Sequence, residues 1–280
     1  MKDKYIEHLS KEEKDIIVDK GTEEPFIGEY NNHFEQGIFV CRACSNILYE
    51  SNTKFDSGCG WASFDDEIPG AIVRYKDNSL LRKRTEICCS KCDGHLGHVF
   101  HGEKTTIKDT RHCVNSLSIR FIAHNHLSKA TFGAGCFWKI QNIFSKINGV
   151  YDTQAGYMGG AQKNPTYKQV CSGSTLHAEV VQLTYDSREI DYEKILGIFW
   201  NNHDPTTLNR QGNDKGTQYR SVIFYHSSEQ KELALSSLDD YQESFSNSIT
   251  TQVLNSQEFY RAEEYHQDYI KKNNLGSCSL

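Results

Sequence analysis

Apolar and polar positions keep two different rhythms along the chain, and the change falls within residues 123–128, where His and Asn interrupt the apolar pattern. Before it, short apolar runs alternate with Gly and polar turns: Gly37 to Tyr49, Ala71 to Tyr75, His98 to His101 and Ser116 to Ile122. Runs of this kind predict short antiparallel strands. One helix precedes them, because Ser10 and Glu13 stand at capping-box spacing and Gly21 stops the run. After the change, Lys129 to Gly133 reads as a strand leading into a turn. Phe137, Ile140, Phe144 and Ile147 then recur at helical spacing until Gly149. Val181, Leu183 and Tyr185 alternate as a strand, and Tyr192, Ile195, Leu196 and Phe199 suit one helix face. Tyr219 to His226 reads as a strand and Ser228 to Phe245 as a helix. The expected organisation is two domains: a mainly β one over 1–122, a linker over 123–128, and an α/β one over 129–280 with a mixed sheet and flanking helices.

The 280 residues suffice for two modest domains, and 37% apolar content suffices for packed cores. A net charge of -6 argues against a dedicated nucleic-acid binder. No apolar run approaches a membrane span, so no membrane association is expected. Met1 to Ser10 is polar and mixed in charge, which predicts no signal peptide and a cytoplasmic location. Ten cysteines then change the picture, seven at or before Cys113 and three from Cys136 onward. In a reducing compartment they point to metal ligands or redox thiols rather than a disulfide scaffold.

Cys41-Arg-Ala-Cys44 and Cys89-Ser-Lys-Cys92 are two Cys-x-x-Cys pairs. Each places two thiolates on one ion from a tight knuckle, and two knuckles complete a closed tetrahedron suited to zinc. Zinc has no redox chemistry, and a closed site leaves no position for substrate. The expected role is therefore a structural staple between distant strands. Iron is the rival metal by ligand type, and reduced cysteines at chance spacing are the plainer reading. Cys88 adjoins a proposed ligand and is either a stray ligand or an ordinary buried thiol.

Cys113 sits in Arg111-His-Cys-Val-Asn115. A cysteine attacks as its thiolate, and a nearby cation such as Arg111 favours that form. On a strand, positions 111, 113 and 115 share a face. His95 and His98 are candidate proton donors, and Cys59 is a candidate disulfide partner for an oxidised Cys113. A single strand cysteine is as readily a core residue, and two histidines three apart are as readily hydrogen-bonded core groups. Spacing alone decides neither.

Cys41/Cys44, Gly58-Cys-Gly-Trp-Ala-Ser-Phe64, Cys89/Cys92, His95-Leu-Gly-His-Val-Phe100 and Arg111-His-Cys-Val-Asn-Ser116 together resemble methionine sulfoxide reductase B over about residues 5 to 122. The resemblance implies two antiparallel sheets and reduction of the R-sulfoxide. It implies Cys113 as nucleophile, Cys59 as resolving thiol and Trp61 against the substrate methyl. His95, His98 and Asn115 would hold or protonate the oxygen, and Arg111 would favour the thiolate. Two departures stand out. Ala62 replaces the family's usual Pro, and the Asp that usually follows His-Val-Phe is missing from His101-Gly-Glu, where Glu103 is the candidate replacement for orienting the histidines.

Gly133-Ala-Gly-Cys136-Phe-Trp138 leads into a helical pattern, so Cys136 is expected at a helix N-terminus, where the dipole and free N–H groups favour a thiolate. Phe137 and Trp138 offer aromatic surface for a methyl group. A Gly-rich turn with a buried Cys reads equally well from this fragment alone. Gly135-Cys-Phe-Trp138, Gly156-Tyr-Met-Gly-Gly160, His177-Ala-Glu-Val180, Asp204-Pro-Thr206, Asn209-Arg-Gln-Gly-Asn-Asp214 and Glu264-Tyr-His-Gln-Asp-Tyr269 together resemble methionine sulfoxide reductase A over nearly all of 129–280. That resemblance implies Cys136 as nucleophile for the S-sulfoxide and Glu179 as the acid, its pKa raised by burial. Tyr167 and Tyr219 would hydrogen-bond the oxygen, Phe137 and Trp138 would form the methyl pocket, and Asp214 would support the polar cluster. Cys278, on a terminal Gly-Ser-Cys segment, would be the resolving thiol, with Cys171 a non-catalytic rival. Gln141, where the family usually has Glu, is expected to act structurally.

Methionine sulfoxide is chiral at sulfur, so one pocket for each epimer is chemically sensible. The expected cycle runs through cysteine sulfenic acid and a disulfide that thioredoxin resets. The substrates are free methionine sulfoxide or oxidised proteins, and no organic cofactor is needed. A zinc module joined to a redox sensor would need no sulfoxide pocket, and a thiol peroxidase would have no use for Trp61, Phe137 and Trp138.

Overall fold

The computed structural model describes residues 1–79 and 83–275. Two compact units divide between His126 and Leu127. The segment read as a linker is tightly folded: Ala123 ends one strand, His124–His126 form a 3-10 turn, and Leu127 opens the next strand.

The first unit opens with α1 (Lys11–Ile17), and the capping box forms as the spacing predicts. The Ser10 hydroxyl accepts from Glu13 N at 3.2 Å, and Ser10 N donates back to Glu13 at 2.8 Å. Nine strands follow: β1 (Gly37–Cys41), β2 (Ile47–Glu50), β3 (Lys54–Phe55), β4 (Ala62–Phe64), β5 (Ile72–Asp77), β6 (Arg84–Cys89), β7 (His95–His101), β8 (Thr110–Val114) and β9 (Ile119–Ala123). They form a three-stranded sheet, β2-β1-β9, and a six-stranded sheet, β3-β4-β8-β7-β6-β5, with every pair antiparallel. Phe39, Leu48, Tyr49, Phe64, Ile87, Leu96 and Val114 are sealed in the core of this unit. Tyr49 stacks on Phe64 with centroids 4.1 Å apart. Full burial of each such side chain contributes about 1.5–3 kcal/mol. Strand β6 escapes a pattern search because its first half, Arg84-Thr-Glu, is polar.

The second unit contains β10 (Leu127–Ala134), α2 (Phe137–Phe144), β11 (Val150–Met158), α3 (Tyr167–Cys171), β12 (Ala178–Asp186), α4 (Tyr192–Trp200), β13 (Arg210–Gln211), β14 (Asp214–Lys215), β15 (Ser221–Tyr225), α5 (Ser228–Gln242), β16 (Gln252–Asn255), β17 (Tyr260–Arg261) and α6 (Tyr269–Lys272). Its sheet runs β16-β15-β10-β12-β11-β17 and is mixed, because β15 and β16 pair in parallel while the other neighbours are antiparallel. Phe132, Phe144, Phe199, Trp200 and Ile223 fill the core between sheet and helices. Helix α2 stops at Phe144, short of the periodic Ile147, which lies in a turn closed by Val150 N donating to Ile147 O. Tyr219 ends a 3-10 turn, Thr217–Tyr219, ahead of the strand predicted to contain it. Gln141 is structural, as expected: its amide donates to Thr153 O at 2.8 Å and accepts from Asp268 N at 2.9 Å, tying α2 to β11 and the α6 approach. No helix among the described residues is long and apolar enough to cross a membrane.

Candidate active sites and metal centre

The two Cys-x-x-Cys turns share one hydrogen-bond plan. Ser45 N donates to Cys41 O and Asp93 N to Cys89 O, both at 2.8 Å, while Cys41 N donates to Asn46 O and Cys89 N to Gly94 O. Ser45 and Asp93 both take positive φ to close these knuckles. The four sulfurs lie within 4.8 Å of one another, with Cys41–Cys92 at 3.6 Å and Cys44–Cys89 at 3.5 Å. A zinc tetrahedron with bonds of about 2.3 Å has sulfur–sulfur edges of about 3.8 Å, so the cage fits. Four thiolates crowded this closely in a buried cage repel one another unless a cation sits among them. Cys88 stands outside the cage; its thiol donates to Glu86 at 3.4 Å.

The first thiol site forms on the six-stranded sheet. Cys113 on β8 pairs with Ser63 on β4 and with His98 on β7. A side chain at Gly97 would collide with the Cys113 carbonyl, and Gly97 also has φ +150°, so only glycine lets β7 approach β8 this closely. Cys59 Sγ is 3.9 Å from Cys113 Sγ and 3.5 Å from the Ser63 hydroxyl. The hydrogen bond with Cys113, aided by Ser57 and Ser63, holds Cys59 down at about 4. That same bond, together with burial, pushes Cys113 up against the pull of Arg111. Arg111 draws Cys113 toward its thiolate both by its charge and by a hydrogen bond.

The histidines share a face because of a bulge at Leu96. Ile87 pairs with Gly97 but Cys88 pairs with His95, which sets His95 and His98 opposite Cys88 and Glu86, two residues that face the same way. The two imidazole rings lie 5.6 Å apart. His95 Nδ1 meets Glu86 at 2.8 Å, and His98 Nε2 meets Asp77 at 2.8 Å. Glu103 does not orient them. It grips Arg111 with two bonds of 2.7 and 2.8 Å, because the register sets Arg111 opposite Phe100, just before the Glu103 turn. Asn115 is 3% exposed; it accepts from Glu23 N at 3.1 Å and donates to Leu96 O at 3.3 Å. Trp61 donates to Glu23 O at 3.0 Å. Glu23 itself, unmarked by any sequence pattern, accepts from Ser116 N at 2.6 Å and Leu117 N at 3.2 Å, fastening the 23–30 segment to the site. Ala62 opens β4 opposite Val114.

In the second unit, Gly135 (φ +85°) turns the chain so that Cys136 caps α2; a side chain there would come within 2.6 Å of Gln211. Burial pushes the Cys136 thiol up to about 12, helped by the Glu179 charge, and the N–H groups of Trp138 and Lys139 oppose this without prevailing. Glu179 on β12 is 2% exposed and accepts from Phe137 N at 3.3 Å through Oε2, while Oε1 is buried without a partner. Burial raises its carboxyl to about 8, opposed by the Phe137 N–H and supported by the Asp214 charge. Burial thus favours the protonated form near neutrality. Tyr219 is pushed up to about 12 by burial and by the charges of Glu179, Cys171, Asp214 and Cys136, which places these groups in one electrostatic cluster. Burial likewise raises Tyr167.

An aromatic wall adjoins this cluster. Phe137 lies 5.9 Å from Tyr157, 6.5 Å from Tyr167 and 5.1 Å from His266, measured between ring centroids. Trp138 stacks on Tyr269 at 3.7 Å and donates to His266 Nδ1 at 3.0 Å. Glu263 joins the wall, accepting from the Tyr157 hydroxyl and Tyr167 N, each at 2.9 Å. Sequence reasoning assigns no site role to Tyr157, Glu263, His266 or Tyr269. The 264–269 motif holds His266 and Tyr269 and the 156–160 motif holds Tyr157, while no quoted motif includes Glu263. Cys171 is exposed on α3, and Cys278 lies outside the described residues.

Comparisons with known proteins divide the chain in two. Residues 128–280 match the family model for peptide methionine sulfoxide reductase, and residues 9–123 match the SelR domain. A peptide methionine sulfoxide reductase MsrA of Methanothermobacter thermautotrophicus is 54% identical over 154 residues, covering 54% of this chain and 91% of the relative. Its counterpart in Geobacter sulfurreducens is 52% identical over 154 residues, covering 54% and 95%. Among solved structures, reduced Mxr1 of Saccharomyces cerevisiae aligns with TM-score 0.53 and 36% identity, covering 55% of this chain and 90% of that one. Methionine sulfoxide reductase A of Corynebacterium diphtheriae aligns with TM-score 0.53 and 35% identity, covering 55% and 78%. The chain belongs to the peptide methionine sulfoxide reductases, as a fused enzyme whose SelR, or B-type, domain reduces the R-epimer of methionine sulfoxide and whose A-type domain reduces the S-epimer.

Proposed function

We propose that Cys113 and Cys136 are the two nucleophiles of a repair cycle carried by two domains, residues 1–122 and 129–280, joined through 123–128. The observation that carries this reading is the buried Glu179 beside the Cys136 helix, with one carboxyl oxygen bonded to Phe137 N and the other without a partner, an environment that favours the protonated form. In the second site the Cys136 sulfur attacks the sulfoxide sulfur while Glu179 gives its proton to the oxygen, assisted by the hydroxyls of Tyr167 and Tyr219. Protonation of Glu179 also removes the charge that opposes a Cys136 thiolate. Phe137 and Trp138 seat the methyl group, and Asp214 supports the acid.

In the first site Cys113 attacks as its thiolate, the form that Arg111 favours by charge and hydrogen bond. His95 and His98 supply the proton for the oxygen, Arg111 steadies the developing thiolate, Asn115 and Trp61 shape the pocket, and Trp61 meets the methyl group. Each step reduces the sulfoxide by two electrons and oxidises the cysteine to sulfenic acid. Cys59 or Cys278 then condenses with it, releasing water and forming a disulfide. A dithiol protein of the thioredoxin class returns both sites to the thiol state by exchange. The substrates are free methionine sulfoxide and oxidised proteins, and the chain works in the cytoplasm.

Zinc would be held by Cys41, Cys44, Cys89 and Cys92, where it supplies a clamp between β1–β2 and β6–β7 and no redox step. The test is to trap sulfenic acids with a dione probe after single turnover of each epimer in Cys59→Ser/Cys278→Ser protein. The R-epimer should label Cys113 and the S-epimer Cys136; the opposite assignment, or label elsewhere, rejects the reading.

A further inference from the structure

Three buried donors, Glu86, Cys88 and His95, lie within 4.8 Å of one another on the face of the sheet that carries Cys113. A cation could be imagined among them, but the ammonium of Lys20 already sits 2.9 Å from Glu86 Oε2 and supplies the balancing charge. The contacts instead form a directed chain. Lys20 holds Oε2, Oε1 accepts from the Cys88 thiol at 3.4 Å, and the same Oε1 meets His95 Nδ1 at 2.8 Å. His95 is 2% exposed, and its other ring nitrogen, Nε2, is buried with no partner. A carboxylate only accepts, so Nδ1 must carry the proton in this bond, and Nε2 is the nitrogen left for substrate. His98 is held the opposite way, through Nε2 by Asp77, which Arg84 braces at 2.7 Å. The bulge at Leu96 aligns both chains.

We propose that Glu86 is a positioning residue for R-epimer reduction, acting through His95 and braced by Lys20. This rests on the assignment of Cys113 as nucleophile. Glu86 fixes the imidazole orientation and stabilises its cationic form, so that an Nε2 proton passes to the sulfoxide oxygen as the Cys113 sulfur bonds to the sulfoxide sulfur. The methionine sulfur gains the electron pair, and Cys113 leaves the step as sulfenic acid. An unpartnered buried nitrogen costs stability in the resting protein, which a bond to substrate oxygen relieves.

The test is Glu86→Gln in the full chain, with S-epimer turnover on the same molecule as the internal control. The expected result is a loss of tenfold or more in kcat for the R-epimer, of the order general acids contribute, with little change in KM and undiminished S-epimer turnover. Nitrogen NMR of the His95 ring should show a protonated Nδ1 in the parent and a tautomer mixture in the variant. Lys20→Met should give a smaller loss in kcat with Nδ1 still protonated. R-epimer kcat within twofold of the parent overturns the proposal. So does a lowered kcat with an unchanged His95 signature, which would mark Glu86 as merely structural. Cys113→Ser with intact R-epimer turnover would instead defeat the underlying assignment of the nucleophile.

Discussion

Cys59 and Cys113, fifty-four positions apart in the chain, have their sulfurs 3.9 Å apart in the fold. This is close enough for a disulfide to close with a small sulfur movement. Cys59→Ser should therefore permit one stoichiometric R-epimer turnover and block thioredoxin-driven cycling, leaving S-epimer cycling intact. Methionine formed per enzyme in the absence and presence of reductant checks this; sustained R-epimer cycling would transfer resolution to another thiol.

For the second site, Cys278→Ser should likewise stop S-epimer cycling after one turnover. The same product count checks it. Undiminished cycling would point to Cys171, exposed at the end of α3, as the resolver.

Glu179 as the acid should make the S-epimer reaction pH-dependent. Its carboxyl titrates at about 8 in the fold, so the acid form is lost as pH rises through that value, and S-epimer kcat/KM should fall with it. Glu179→Gln should lower kcat by about 10²–10⁴-fold and remove this limb. Stability carries the same sign. Because the folded pKa lies above the unfolded one, the group's contribution is fully present below the ordinary carboxyl pKa and is lost as pH rises through about 8. Thermal melts should accordingly find Glu179→Gln the more stable protein above that pH.

Removal of the metal should separate the two activities. Chelation, or Cys89→Ser, releases the β1–β2 and β6–β7 knuckles and should cost the first unit its R-epimer turnover and cooperative melting. S-epimer turnover should persist. Metal content per chain, followed with both rates through a chelator titration, checks this; parallel loss of both activities would count against a clamp confined to the first unit.

Local chemistry was legible in the sequence where neighbours in the chain are neighbours in space. The Ser10–Glu13 box, the paired cysteine knuckles and the turn into α2 all follow from spacing. The partners of His95 and His98 were not legible, because Glu86 and Asp77 reach them only through strand register and the Leu96 bulge. Proximity in the chain misdirected the reading of Glu103: it follows the histidines closely, yet hairpin register delivers it to Arg111. The helix N-terminus at Cys136 was legible as geometry, and its two N–H groups do pull the thiol down, but the burial that opposes them depends on distant packing that no local pattern shows. His266 and Tyr269 complete the aromatic wall from the far end of the chain, a closure that no local pattern announces.

The most direct measurement of the division of labour is steady-state reduction of the separated R and S sulfoxides, with thioredoxin as donor, by Cys113→Ser and Cys136→Ser proteins. Cys136→Ser should abolish S-epimer turnover and spare R, and Cys113→Ser should do the reverse. Loss of both activities in either variant, or retention of the targeted one, would contradict the account.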